Sequence, residues 1–140
     1  MAQDAQERHD GQMLFYSKYC GPASVASVLG CSPLDAAKSL SAVKTPTCGW
    51  KSTDISTIGA VLGLPVKNIR RERMRQLDYP GKFRYKYLQT VAAFLRDHPD
   101  REAVLRGSHH FMHIRRGKIV EGNGHYPMRG RVTHVIWLDR

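Results

Sequence analysis

The chain has 140 residues, of which 41% are hydrophobic and 24% are charged, and its formal net charge is +10. This length predicts a single domain, residues 1–140, with enough apolar side chains for a core. No run approaches the roughly 20 apolar residues of a membrane-spanning helix, and the polar N-terminal segment does not resemble a signal peptide. We therefore expect a cytoplasmic protein with no membrane partner.

The number and spacing of the cysteines and the uneven distribution of charge limit the kinds of site and partner that the chain is expected to have. Cys20, Cys31 and Cys48 are odd in number and widely spaced, which is typical neither of a disulfide framework nor of a zinc site. No metal or other cofactor is expected. Residues 65–140 hold 17 basic and seven acidic side chains and carry the whole excess of positive charge. Such a half would attract nucleic acid, an acidic protein or another anionic polymer.

A buried helix is predicted over residues 20–29, after a lead-in of residues 1–12. Pro22 suits the first turn, where a helix needs no N–H, the segment is almost wholly apolar, and Gly30 is a natural stop. Cys20 opens this helix, where the positive end of the helix dipole favours thiolate over thiol. Cys20 is therefore either a nucleophile or a small buried apolar residue, the usual role of a free cysteine.

Two further helices are predicted in the first half of the chain. Ser32 is a good N-cap for a helix that runs to about Ser41. Ser52 or Thr53 caps the next helix, in which apolar residues line one face and which ends at Gly63.

Residues 67–87 differ in composition, because basic and aromatic side chains are interleaved there. We interpret this segment as an insertion. Its aromatic residues either close one side of the core or are available to stack on the bases of a nucleic acid. The basic residues that would contact nucleic acid or an acidic protein are Arg70, Arg71, Arg73, Arg75, Lys82, Arg84 and Lys86.

The last 40 residues are predicted to be β-structure, after a helix that ends near residue 98. Strands over residues 110–115 and 118–123 flank Arg116-Gly117, which is typical of a two-residue hairpin turn. Helices followed by an antiparallel sheet predict an α+β domain, with the N-terminal helices packed on the C-terminal sheet in segregated layers. Further strands are predicted at residues 103–105 and 131–138.

The hairpin brings two candidate catalytic residues together. With Arg116 and Gly117 as the turn, His110 lies directly opposite Asn123, within reach of a hydrogen bond between the two side chains. An asparagine can hold an imidazole in the orientation that a general base needs. With Cys20 these residues supply the nucleophile, base and orienting group of thiol hydrolysis. The alternative is that both are ordinary strand and turn residues.

The other histidines have secondary roles in this interpretation. His109 and His113 would lie on the strand face opposite to His110, and His109 becomes the base if the register shifts by one residue. His113, His125 and His134 are expected to be structural. No two cysteines have the spacing of zinc ligands that would complete a metal site with these histidines.

Three segments resemble the bacteriocin-processing (double-glycine leader) peptidases of the papain clan. Cys20-Gly21-Pro22-Ala23 resembles the motif with which that family opens its first helix at the nucleophile. Residues 49–64 are similar to the family's Gly-x-Ser/Thr entry to a later helix that ends in Gly-Leu. Residues 110–120 are similar to its histidine strand, turn and return strand. The segments occur in the family's order over about residues 12–125.

The resemblance implies a papain-like fold and a cysteine hydrolase of a peptide or another amide bond. Cys20 would attack the carbonyl carbon, His110 would move the proton and Asn123, where the family commonly has aspartate, would orient His110. The family's oxyanion glutamine, six residues before the cysteine, is replaced here by Leu14. Gln12 and the backbone N–H of Cys20 are expected to stabilise the oxyanion instead.

Two other functions are consistent with the same sequence. A papain-like binding module, weak or inactive in catalysis, would use the basic half to contact an acidic protein or nucleic acid. A thiol acyltransferase of the transglutaminase type would need the same three groups as the hydrolase.

Overall fold

The computed structural model describes residues 20–43, 54–78, 81, 83–107, 110–120 and 128–139, in which helices pack on an antiparallel sheet. None of the helices in these ranges is long and apolar enough to cross a membrane. The helices are α1 (Cys20–Leu29), α2 (Pro33–Val43), α3 (Ile55–Leu62), α4 (Ile69–Leu77) and α5 (Val91–Asp97), with a 3-10 turn at Tyr85–Tyr87. The strands are β1 (Lys67–Asn68), β2 (Glu102–Gly107), β3 (His110–Arg115), β4 (Lys118–Ile119) and β5 (Val132–Trp137).

The sheet has the order β1-β5-β2-β3-β4, and every neighbouring pair is antiparallel. The predicted β3–β4 hairpin is confirmed, since Arg115 pairs with Lys118 across a two-residue turn. The φ angles of Arg116 and Gly117 are 53° and 74°, and a type I′ turn requires two such positive values. The consecutive strands β2 and β3 are also paired along their length, from Glu102 opposite Arg115 to Gly107 opposite His110.

Helices cover both faces of the sheet. One buried cluster joins α1, α2 and α3 to Val104, Phe111 and Ile136, and we call this side the α1 face. A second cluster joins α5 to Leu105 and Met112 on the other side, the α5 face. Side chains of each strand alternate between the two faces, as the period of a strand requires.

The α+β class and the packing of the N-terminal helices on the sheet are confirmed, but the predicted segregation into two layers is wrong. α5 forms a third layer on the far side of the sheet. β1 belongs to the sheet although it comes from the basic segment in the middle of the chain. Consecutive apolar residues of β2 and β3 are buried, because both faces of these strands are covered. Their sequences therefore lack the alternation of apolar and polar residues that is typical of a half-exposed strand.

The first two helices begin as the sequence predicts. α1 covers the predicted residues 20–29, and Gly30 follows it in the left-handed region with φ 69°. The Ser32 hydroxyl accepts a hydrogen bond from the N–H of Asp35 at 3.1 Å and so caps α2. α2 ends at Val43, two residues later than predicted.

The N-cap of α3 differs from the prediction. Asp54 caps this helix, and Ser52 and Thr53 lie outside the described residues. The Asp54 carboxylate accepts hydrogen bonds from both the N–H and the hydroxyl of Thr57, each at 2.9 Å. A carboxylate is also favoured by the positive end of the helix dipole. Gly63 ends the helix with φ 67°, as predicted.

The basic segment contains a strand and a helix that the sequence analysis did not predict. α4 buries none of its residues, so its sequence has no apolar period by which it could be recognised. The helix is stabilised locally, since the Asn68 side chain accepts a hydrogen bond from the N–H of Arg71 at 2.9 Å. Phe83 is 5% exposed and therefore serves the core, which leaves its ring no free face for stacking.

Gly107 occupies a position that a larger residue cannot fill without movement of the backbone. A Cβ atom there would lie 2.8 Å from the carbonyl oxygen of Arg131 and 3.6 Å from a methyl group of Val91. We expect Gly107→Ala to lower the free energy of unfolding by about 1–3 kcal/mol, measured by urea denaturation. Ser56→Ala, at an exposed position of α3, is the control and stays within about 0.5 kcal/mol of the wild type. Wild-type stability of Gly107→Ala would contradict the close contact.

Candidate active site

The helix that begins at Cys20 is buried from its start. Residues 21–26 are all buried, including Pro22 in the first turn, whereas Leu29 at the other end is 51% exposed. The helix packs directly on β3. The prediction that Cys20 opens a buried helix is therefore confirmed, and the strand against which this helix packs carries the predicted base, His110.

The starts of α1 and β3 lie at similar distances, along their own elements, from the contact between Ser27 and His113. Ser27 contacts His113, and Val25, which precedes Ser27, shares a buried cluster with Phe111, which precedes His113. Along the helix axis, Cys20 lies about 10.5 Å before Ser27, at a rise of 1.5 Å per residue. Residue 110 lies about 10 Å before His113 at about 3.3 Å per strand residue.

His110 lies on the α5 face at the very start of β3. Its cross-strand partner is Gly107, and a Cβ atom at Gly107 would point toward Val91 of α5. Strand alternation agrees, since Met112 belongs to the cluster of the α5 face. α1 packs on the opposite face, so the imidazole of His110 can meet Cys20 only by reaching around the end of β3. The register of the β3–β4 hairpin alone does not reveal this constraint.

The environment of His110 suits a general base. The residue is partly buried, and this burial lowers the pKa of its imidazole below the ordinary value. Desolvation disfavours the charged form of a histidine, so the ring stays neutral down to a lower pH than it would in water. A neutral imidazole is the form that can accept a proton.

Several predicted residues lie outside the described part of the chain. They are Asn123, the two residues Gln12 and His109, and the side chain of Cys20. The hairpin register that predicts the pairing of His110 with Asn123 extends to residue 120, whose N–H donates to the carbonyl oxygen of His113 at 3.0 Å.

A buried polar network that the sequence analysis did not predict links α1 to the sheet. The Ser27 hydroxyl lies 2.7 Å from Nδ1 of His113, and Nε2 of His113 lies 2.9 Å from Oε1 of Glu102. His113 is 2% exposed. The three residues come from α1, β3 and β2, so the network fixes the position of the helix over two strands. Glu102 lies two positions from Val104, the cross-strand partner of His113, and so is a diagonal neighbour of His113 on the same face of the sheet, which the sequence alone does not reveal.

This network has the residue types of a serine hydrolase triad but lacks its geometry. The serine faces Nδ1 and the carboxylate faces Nε2, the reverse of the arrangement in serine proteases. Ser27 lies inside a helix, and a 2% exposed His113 cannot meet a substrate. We therefore assign it a structural role.

The network also locates Cys20 on its helix. Ser27 follows Cys20 by seven residues, which is close to two full turns at 3.6 residues per turn. Both residues therefore lie on the same face of α1, and Ser27 shows that this face meets β3.

The basic residues predicted to contact a partner are mostly at the surface. Arg71, Arg73 and Arg75 are exposed on α4, as are Arg84 and Lys86 further along the chain. The guanidinium carbon of Arg70 lies 5.8 Å from the ring of Phe83, and Lys82 lies outside the described residues.

A groove of about 460 Å³ runs along α4 and is lined by Asn68, Arg70, Arg71, Met74, Arg75 and Asp78. Among the described residues, no three histidine, cysteine or acidic side chains converge as metal ligands would.

Removal of the Ser27 hydroxyl tests the polar network. We expect Ser27→Ala to lower the free energy of unfolding by about 1–3 kcal/mol, because a buried nitrogen of His113 loses its partner. Urea denaturation gives the value. Ser39→Ala, at an exposed position of α2, is the matched control and changes stability by no more than about 0.5 kcal/mol. Equal stability of the two variants would contradict a structural role for the network.

Two of the described histidines, His110 and His134, have a lowered pKa. We therefore expect the free energy of unfolding to decrease in acid. Burial lowers the pKa of His110, and burial together with the positive charges of Arg106, Arg70 and Arg71 lowers the pKa of His134. Such histidines take up protons first in the unfolded chain. Their contribution is therefore complete above the unfolded pKa of about 6.5 and is lost as the pH falls through that value toward the folded pKa.

Urea denaturation at about pH 7.5 and about pH 5.5 measures this effect on either side of the unfolded pKa. We expect the free energy of unfolding to be smaller at the lower pH. His110→Gln and His134→Gln should each reduce the difference between the two values. An unchanged difference in both variants would show that these imidazoles do not titrate as their surroundings indicate.

Comparison of the whole chain with known proteins found no matching family model, no similar curated protein and no similar solved structure. A function for this chain therefore has to be argued from its own residues and their geometry.

Proposed function

We propose that the chain is a papain-like thiol hydrolase that cleaves a peptide or another amide bond. The observation that carries this proposal is the packing of α1, which Cys20 opens, on β3, which His110 opens. A cysteine at a buried helix start and a histidine at the start of the adjoining strand are the parts from which thiol hydrolases are built. The predicted Asn123 and Gln12 complete the proposed site.

Cys20 is the nucleophile in this proposal. The first N–H groups of a helix have no partners within the helix, and the positive end of the dipole stabilises an anion there. Both effects lower the pKa of a thiol at that position. The burial of residues 21–26 excludes water from one side of the helix start, which strengthens these interactions.

His110 is the proposed base. Its partly buried imidazole is kept neutral, and we infer that it lies at the end of the sheet where α1 begins. Its position on the α5 face requires that the imidazole meets Cys20 around the end of β3. Asn123 would hold the ring in that orientation by accepting the N–H that does not face Cys20. His109, which belongs to the two-residue connection before His110, is the alternative base.

The proposed reaction has two steps. The Cys20 thiolate attacks the carbonyl carbon, and the resulting oxyanion is stabilised by the Cys20 N–H and by Gln12. His110, now protonated, gives its proton to the leaving amine, and an acyl-enzyme remains. A water molecule then gives a proton to His110 as it attacks the acyl-enzyme, which releases the acid and restores the thiol–imidazole pair. If an amine replaces the water, the same site acts as an acyltransferase.

Alkylation by iodoacetamide tests the thiolate without knowledge of the substrate. We expect Cys20 to react faster than Cys31 and Cys48 at about pH 6, where an ordinary thiol of pKa about 8.5 is almost fully protonated. Cys31 is a demanding control because it is exposed. His110→Ala should move the pH midpoint of Cys20 alkylation upward. A Cys20 that reacts no faster than Cys31 would contradict the proposal.

Hydrolysis of a library of fluorogenic peptide amides tests the reaction itself. We expect Cys20→Ala to lose activity by on the order of 10³-fold or more, whereas Cys31→Ala keeps it. A loss in His110→Ala with retention in His109→Ala identifies His110 as the base, and the opposite result identifies His109. Product transfer to an added amine, in preference to water, would identify an acyltransferase. Full activity of Cys20→Ala would rule out the proposed function.

A further inference from the structure

α4 begins at the edge strand of the sheet and lies on the surface of the molecule. The edge strand β1 pairs with β5, and α4 packs on β5. None of the residues of α4 is buried, and residues 71–73 and 75–77 are exposed. Most helices of globular proteins depend on a buried apolar face, which α4 lacks, so most of its surface is open to a partner.

Three exposed arginines of α4 have no acidic partner. Arg71 and Arg75 are four residues apart, so they leave the same side of the helix about 6 Å from each other. Arg73 leaves the opposite side, at 3.6 residues per turn, and its Nη1 donates to the side chain of Gln76 at 3.3 Å. Among the described residues, no carboxylate forms an ion pair with any of the three arginines.

The segment of residues 83–87 runs alongside α4. The guanidinium carbon of Arg70 lies 5.8 Å from the centre of the Phe83 ring. Further along the helix, Arg73 and Tyr87 line the same pocket of about 270 Å³. Side chains of this segment therefore belong to the same surface as the arginines of α4.

This surface carries an excess of positive charge. Arg84 and Lys86, which lie in the neighbouring segment, are exposed and add two cations to the three of α4. The acidic residues of α4 and of its C-cap are Glu72 and Asp78, which leaves a charge of +3. The basic surface, as we call it, consists of Arg71, Arg73, Arg75, Arg84 and Lys86.

We propose that the basic surface binds double-stranded DNA through the phosphate backbone. Phosphate contacts supply affinity without an apolar centre, and protein–DNA interfaces are more positively charged than protein–protein interfaces. A partner protein would be bound through an apolar centre from which charged residues are depleted. Leu77, which is 37% exposed, is the only exposed large apolar side chain in the described part of residues 69–87. The surface therefore fits DNA better than an acidic protein.

The aromatic rings of this surface favour a duplex over a single strand. Single strands are bound by stacking of their bases on exposed rings, but Phe83 is buried. The ring of Tyr87 is half-buried, and the Nζ atom of Lys86 lies over it, 5.4 Å from its centre. The major groove of B-DNA admits an α-helix, whereas the major groove of A-form RNA is too narrow. A surface helix with cations on both sides matches a groove between two phosphate backbones.

DNA binding by this surface is independent of the proposed thiol chemistry. α4 follows β1 at one edge of the sheet, and two strands separate β1 from β3, which carries His110. The tests on Cys20 and the test on the basic surface can therefore succeed or fail separately.

Fluorescence anisotropy with a labelled DNA duplex of mixed sequence, at about 50 mM and about 200 mM NaCl, tests the proposal. The three arginines of α4, with one phosphate each, predict that the affinity falls at least about 40-fold between these salt concentrations. Arg71→Gln, Arg73→Gln and Arg75→Gln should each weaken binding and reduce the slope of log affinity against log salt by about one. Glutamine has nearly the helix propensity of arginine, so these variants keep α4.

Two further variants make the test specific to the basic surface. Arg115→Gln removes the same charge from an exposed position of β3, three strands from β1, and should leave binding within about twofold. Asp78→Asn removes a carboxylate that lines the groove beside Arg71 and Arg75, and should strengthen binding because a repulsive charge is lost.

Four results would overturn the proposal. Two of them are an affinity that does not depend on salt and an equal weakening by Arg115→Gln and Arg71→Gln. Tighter binding of poly-glutamate than of the duplex would identify an acidic protein as the partner instead. Tighter binding of an oligothymidylate of the same length would identify a single strand instead.

Discussion

The contact between α1 and β3 is the interaction on which the rest of this structure depends. It combines a buried apolar cluster that contains Val25 and Phe111 with a polar network in which both nitrogens of His113 have a partner. A buried imidazole is costly unless both of its nitrogens have partners, and Ser27 and Glu102 supply them from α1 and β2. The hydrogen bonds of the network form in only one position of α1 along the sheet, and any other position would leave a buried nitrogen of His113 without a partner. An apolar contact alone would not distinguish between these positions.

The elements with local signals could be predicted from the sequence. Cys20, Pro22 and Gly30 define α1 because a helix start and stop depend on neighbouring residues, and Arg116-Gly117 defines the β3–β4 hairpin because two positive φ angles favour such a pair. α4 could not be predicted, because none of its residues is buried and no apolar period marks it. The cap at Asp54 was missed because three capping residues stand in a row, and only their backbone conformation distinguishes them.

The candidate site was predictable in its residues but not in its geometry. Sequence spacing gives the register of one hairpin, and this register is confirmed by Ile114 and Ile119. The face on which His110 lies depends on the pairing of β2 with β3 and on the position of α5, which are long-range properties. The same limit explains why Glu102 and His113, eleven residues apart in the chain, were not connected.

The short connections on either side of β3, each of two residues, have a consequence for how the molecule assembles. β2, β3 and β4 form a meander whose contacts are close in sequence, and such contacts form quickly because little chain entropy is lost in closing them. The contact of Ser27 with His113 spans 86 residues and closes a far larger loop. The meander can therefore form before α1 docks, and the helix start that carries the thiol reaches its place late in folding. Until then the apolar side of the meander is uncovered, which makes the docking of α1 the step at which misfolding competes with assembly.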